Sequence, residues 1–195
     1  MTAVDIPRWD ELSVDTLPDV PGYRVELVNG ALVLTPRAGQ PHQRAARRLL
    51  VELDRVADRS GWEVFSPLRV RVNSRTDREP DLAITTIRGR HEAVPVTEVL
   101  LVGELISKGS VVADTREKPA EYADAGVEWF LLASETPAGW TATLYQLGVE
   151  PHEQVDAWGG PIADGRYVPV SHGQPAGQLV LPDLFGITID LRTLS

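Results

Sequence analysis

No cysteine occurs among the 195 residues of this chain, which excludes disulfides, thiolate zinc sites and cysteine nucleophiles. Long apolar runs are missing too: nothing approaches the roughly 18 residues of a membrane-spanning helix, so no membrane partner is expected. The opening stretch MTAVDIPRWDELSVD carries early acids and no basic start followed by an apolar core. That is not the pattern of a secretory leader, and a cytoplasmic location is the expectation. Basic residues are outnumbered, 19 Lys and Arg against 28 Asp and Glu, for a net charge of −9. This argues against a histone-like binder with a basic surface, but leaves room for an enzyme that meets DNA through one local basic patch. A GxxxxGK[ST] phosphate loop is absent. The histidines His42, His91, His152 and His172 show no metal-ligand spacing.

What is present is a chain of 43% hydrophobic residues, enough for a sizeable core. Residues 1–20 are short on pattern and read as an N-terminal arm, and residues 21–195 as a single domain. In YRVELVNGALVLTP, two apolar runs flank Asn29-Gly30. Both turn residues tolerate positive φ, which makes this a β-hairpin. Over residues 41–58 the period changes: Ala45, Ala46, Leu49, Leu53 and Val56 recur at helical spacing, with Arg44, Arg47 and Arg48 off that stripe. Gly61 ends the helix.

WEVFSPLRVRV and PDLAIT then read as strands, the first broken by Pro67. In TREKPAEYADAGVEWFLLA, a short helix precedes the strand VEWFLLA; Asp114 and Glu117 form an expected capping box, and Gly126 the C-cap. TATLYQL, RYVPV, GQLVL and LFGITIDLRTL supply further strands that read as extra sheet edges. The order predicts an α/β domain: a mixed β-sheet flanked by helices, with an N-terminal hairpin and extra C-terminal strands. Trp62, Trp129, Trp140 and Trp158 read as packing residues rather than base-stacking platforms.

One stretch resists this bland reading. In LVGELISKGS, Glu104 follows five consecutive apolar or Gly residues and precedes Leu105 and Ile106. An ionised carboxylate in a buried strand costs several kcal/mol unless it is paired or bound to a cation. Asp81 opens the strand before it, and strands adjacent in sequence usually neighbour in space. Two carboxylates meeting at one edge repel unless a cation lies between them, and Mg²⁺ takes one or two carboxylates plus water and phosphate oxygens. Lys118, beside the second helix start, would then act on water or on phosphate charge. Each residue also has an ordinary reading. Glu26 suits the wet face of an edge strand, Asp81 a turn, and Lys118 a solvated surface near Asp114 and Glu117. Arg44, Arg47 and Arg48 make either a solvated face or a phosphate-contacting track.

The ordered segments YRVELVNGALVLTPRAGQPHQRAARRLLVEL, EPDLAIT, LVGELIS, ADTREKPAEYADAGVEWFLLA and LFGITIDL resemble the Uma-two family of restriction endonucleases, within the PD-(D/E)xK nuclease superfamily. The resemblance covers roughly residues 20–192 and is most specific over 114–132. It implies a restriction-endonuclease-like fold and hydrolysis of DNA phosphodiester bonds with Mg²⁺ (or Mn²⁺). Asp81 and Glu104 would hold the metal, Lys118 would act on water or phosphate, and Glu26 would assist the metal or orient Lys118. His42 and Gln43 fall at the family's HQ pair and, with Arg44, are candidate substrate contacts. The superfamily's usual lysine lies two residues after the Glu, where this chain has Ile106; Lys118 answers the family's lysine on the following helix. Lys108 is a rival catalytic lysine and a further candidate substrate contact. The alternative is a catalytically inactive nuclease-fold module that binds DNA or protein. DNA is the expected partner, and a homodimer is compatible with either reading.

Overall fold

The computed structural model describes residues 17–89, 91–106, 111–148, 162–163, 165–182 and 184–195. Most of the expected arm, together with Lys108, His152 and Trp158, lies outside the described residues. Strands β1 (Tyr23–Val28) and β2 (Ala31–Pro36) pair antiparallel around Asn29-Gly30. Their φ values of 53° and 85° are what a two-residue hairpin turn requires. Helix α1 (Gln40–Ser60) buries Ala45, Ala46, Leu49, Leu53 and Val56 and ends at Gly61, whose left-handed backbone returns its N–H to Ala57. The expected 3.6-residue stripe is therefore the packed face.

Short strands follow: β3 (Glu63–Phe65), β4 (Val70–Asn73), β5 (Thr76–Arg78), β6 (Leu82–Thr85) and β7 (Val94–Pro95). β8 (Val99–Ile106) leads through a π-helical turn, Ala113–Glu117, into α2 (Lys118–Asp124). The chain continues through β9 (Trp129–Thr136), β10 (Gly139–Leu147), β11 (Tyr167–Gly173), β12 (Gln178–Val180) and β13 (Thr188–Asp190).

The central mixed sheet has the order β11-β10-β9-β8-β6-β3, with β8 and β9 parallel. A parallel pair needs a crossover, and α2 with its preceding turn lies on it. Alternation along β6 and β8 then divides the core. Leu82, Ile84, Leu101 and Leu105 pack with α1 on one face, while Ala83, Val102 and Phe130 pack with Tyr122 of α2 on the other. A second sheet, β2-β1-β5-β4-β7, carries the hairpin and adds Val70 and Val94 to the α2-side core. Among the described residues no helix is long and apolar enough to cross a membrane.

Two local expectations are corrected, and one strand is added. The capping box does not form: the turn before α2 has no side-chain cap, and Asp114 is buried inside it. GQLVL is not an edge of the large sheet but pairs with β13 in a separate two-stranded unit, whose Leu179 and Ile189 pack on the α1 side. Strand β5 was unexpected because Thr76, Asp77 and Arg78 are all polar, yet all three are buried.

Gly103 lies opposite Leu82, where an added Cβ would stand 3.0 Å from the Leu82 Cβ. Both β-carbons are fixed by backbone in neighbouring strands. Gly103→Val should therefore cost about 1–3 kcal/mol in urea denaturation. A change below about 0.5 kcal/mol would mean the strands separate without strain.

Candidate active site at the ends of β6 and β8

Residues two apart on a strand share a face, so β1 presents Arg24 and Glu26 together. In the β6–β8 ladder Leu82 pairs with Gly103 and Ala83 with Val102. One further step brings Asp81 beside Glu104. There the Leu105 N–H donates to Asp81 Oδ2 at 2.9 Å. His42, from the first turn of α1, places Nε2 3.0 Å from that same oxygen and 3.0 Å from the Leu105 carbonyl. Arg24 donates to Asp81 Oδ1. Burial alone would raise the Asp81 carboxyl, but His42, Arg24 and the Leu105 N–H outweigh it and hold the pKa at about 2. In return, Asp81 lifts the His42 imidazole above its ordinary value despite burial.

Glu104 is fully buried. Its Oε2 accepts from Lys118 Nζ at 2.9 Å, and Lys118 Nζ is 3.0 Å from Asp114 Oδ1. One ammonium therefore serves two buried carboxylates. The second oxygen, Glu104 Oε1, is buried with no hydrogen-bond partner. Burial is the main influence on Glu104 and pushes its pKa up to about 8, with Lys118 opposing and the charges of Asp81 and Asp114 adding to it. Burial works against the Lys118 charge, but Glu104 and Asp114 more than offset it, so its pKa lies above the ordinary value.

Glu26 is buried, so its reading as a wet-face residue is corrected. Its Oε1 accepts the Glu79 N–H at 2.9 Å and its Oε2 lies 3.5 Å from Arg78. It reaches Lys118 through its field rather than through a bond. Arg78 grips Glu121 with two hydrogen bonds of 2.7 Å, which fastens α2 to β5 and so fixes where Lys118 can point. Tyr122, one turn beyond Lys118, buries a hydroxyl without a hydrogen-bond partner. Its ionisation is pushed well up by burial and by the charges of Glu104 and Glu26.

Beside Asp81 opens a cavity of about 340 Å³, lined by Arg24, Arg37, His42, Gln43 and Arg47, with Glu79 and Asp81 as its acids. Sequence reasoning thus named residues that the fold brings together: Glu26, His42, Asp81, Glu104 and Lys118, with Gln43 at the cavity wall. Arg44 is exposed and is not among the cavity-lining residues. Arg24, Arg37, Glu79 and Tyr122 were missed, and Asp114 was read as a capping residue or a surface neighbour of Lys118. Arg24 had one signal, its place two residues before Glu26.

The donor set does not fit a divalent cation as it is placed. Both Asp81 oxygens are engaged, one of them by a guanidinium. Among the described residues no three metal-ligating side chains converge. Glu104 Oε1 is the one carboxylate oxygen of the pair without a partner.

A model of the Uma2 family, described as "Putative restriction endonuclease", matches residues 9–192. The chain belongs to the Uma2 family. A crystal structure of "a putative nuclease belonging to DUF820" from Anabaena variabilis superposes with a TM-score of 0.62. It covers 91% of this chain and 92% of that one at 13% identity, a likeness that speaks for the fold alone. No curated protein matches. The Uma2 assignment and this superposition agree with the architecture described above: a PD-(D/E)xK-like nuclease fold with an N-terminal hairpin.

Proposed function

We propose that this Uma2-family chain is a nucleic-acid-binding module on the nuclease fold, gripping a phosphodiester backbone in the cavity beside Asp81 without hydrolysing it. One observation carries this reading. Arg24, Arg37, His42 and Arg47 gather around a cavity with only two acids, in a chain whose net charge is −9. Such a local excess of guanidinium groups suits phosphate oxygens, which accept their paired N–H groups bidentately. The silent state follows from Arg24 on Asp81 and Lys118 on Glu104, which supply the positive charge a metal would otherwise bring.

The test is duplex DNA binding by fluorescence anisotropy across a salt series. Reversing two cavity charges, Arg37→Glu with Arg47→Glu, should weaken binding by about tenfold or more and lower the salt slope by about two. Binding unchanged by the double reversal would remove the cavity from the interface.

A second reading, a Mg²⁺- or Mn²⁺-dependent DNA endonuclease, is favoured by the open oxygen of Glu104 next to Lys118. It requires Asp81 to be released from Arg24. Supercoiled plasmid incubated with either metal separates the two. Nicking by wild type that is lost in both Asp81→Asn and Lys118→Ala would replace the silent reading with the catalytic one.

A further inference from the structure

We propose that the cavity beside Asp81 takes a single unpaired nucleotide, its phosphate at an arginine end and its base against an apolar wall. The preferred ligand is then a strand end or an unpaired position rather than an intact duplex, a preference that rests on the phosphodiester reading of the cavity above. The lining is of two kinds. Arg24 and His42 bond Asp81, and Glu79 lies 3.3 Å from Arg37 and 3.8 Å from Arg24, so the guanidinium groups and the two acids gather together. Ala38, Ala46, Leu50 and Pro67 also line the cavity, and their side chains offer nothing to a phosphate. Helix α1 sets the order of these parts. His42, Ala46 and Leu50 follow one another in four-residue steps along it, which puts them on one ridge of the helix. That ridge starts at the imidazole beside Asp81 and reaches the Leu50 side chain about 12 Å further on. Gln43 and Arg47 form the neighbouring ridge of the same wall.

An intact duplex would leave this wall unused. Its phosphates lie outside bases that stay stacked and paired, so backbone contacts at the arginine end would leave Ala46 and Leu50 facing water. An unpaired nucleotide joins a phosphate to an exposed base with broad apolar faces, and each part has its counterpart in the cavity. A volume of about 340 Å³ also suits one small ligand. The base would rest on Leu50 and Pro67 and against the guanidinium plane of Arg47. Gln43 donates a side-chain N–H to the Ala38 carbonyl at 2.8 Å, which holds its amide on the wall. A primary amide keeps an acceptor and a second N–H for a base edge. The net charge of −9 works in the same direction, because it opposes the long phosphate contact of a duplex more than contact with one nucleotide.

The experiment is fluorescence anisotropy on the full chain in EDTA, which keeps the DNA intact, with three probes of one sequence. The first is a blunt duplex, the second adds a single unpaired thymidine at one end, and the third has an abasic nucleotide in its place. The last two carry the same phosphates and differ only in the base. Wild type should bind the thymidine probe about fivefold or more tightly than the abasic one, and the blunt duplex no better than the abasic one. Leu50→Asn, which makes the wall polar at similar size, should bring the thymidine and abasic affinities together. Equal affinity of wild type for those two probes would overturn the proposal, and that comparison needs no variant to fold. A Leu50→Asn protein that melts as a folded chain and keeps the full gain would also overturn it, since the base would then lie elsewhere. The two readings of the cavity fail differently. If all three probes bind alike and Arg37→Glu with Arg47→Glu weakens them together, only the unpaired nucleotide falls. If no probe binds, the phosphodiester reading falls and the nucleotide with it.

Discussion

Lys118→Ala should destabilise the protein by about 3–5 kcal/mol, because it strands two buried carboxylates without their shared cation. Glu104 and Asp114 both lie within reach of the Lys118 ammonium, at 2.9 and 3.0 Å, and both are buried. Neither is described with another cation at ion-pair distance. The loss should therefore depend on pH. It should be largest above about pH 8, where Glu104 is ionised, and smaller near pH 5, where Glu104 already carries a proton. Replacing the acids along with the lysine, as Lys118→Met with Glu104→Gln and Asp114→Asn, should recover a large part of the deficit. Removing a whole buried ion cluster costs far less than breaking it. Urea midpoints at both pH values check this, with unchanged m-values showing that the unfolding transition is the same one. A loss below about 1 kcal/mol for Lys118→Ala at pH 8.5 would mean that water reaches the cluster and that its charges are screened.

Much of the scaffold was legible because its cues are local. Asn29-Gly30 sits where only a hairpin turn accommodates the backbone, and the α1 stripe has one period from Ala45 to Val56. Glu104 was conspicuous because a charge inside an apolar strand has to be compensated. What compensates it was only half legible. Lys118 could be carried over from a resemblance, but Asp114 looked like a capping residue, since its spacing to Glu117 fits a capping box as well as its spacing to Lys118 fits an ion pair. The π-helical turn decides in favour of the ion pair by turning Asp114 inward.

Arg24 and Arg78 escaped for a different reason. Arginine in a strand normally faces solvent, and only tertiary partners, Asp81 for Arg24 and Glu121 for Arg78, draw these two inward. Strand β5 was hidden by the same rule. Its Arg78 enters the network with Glu26 and Glu121, while Thr76 Oγ1 accepts the Asn29 N–H and Asp77 lies 3.9 Å from Arg69. Polar composition gave no strand signal here, although the molecule uses this strand to hold the site.

The stability of wild type should fall as pH rises from about 5 to about 8, and Glu104 is the reason. Its ordinary value is 4.5 and burial carries it to about 8 in the folded chain. Between those values the folded state keeps a proton that the unfolded chain has released. Stability from this group is thus fully present below about 4.5 and is lost as pH rises through about 8, by an amount on the order of a few kcal/mol. Asp81 acts in a separate window and with the opposite sign. Its pKa is lowered from 3.8 to about 2, so its contribution is present above 3.8 and disappears only on further acidification. His42, raised from 6.5, adds to the decline on the alkaline side, while Lys118, raised from 10.5, does nothing until far higher pH. Glu104→Gln separates these contributions, since the amide keeps the shape of the protonated acid and cannot ionise. Urea denaturation at pH 5.5, 7 and 8.5 should show a flatter profile for the variant, with only the His42 part remaining. At pH 8.5 the variant should be at least as stable as wild type. If wild-type stability is level across the range and Glu104→Gln is weaker throughout, then Glu104 is ionised at every pH tested. It would then be a permanent structural partner of Lys118, with no unmet charge to invite a cation.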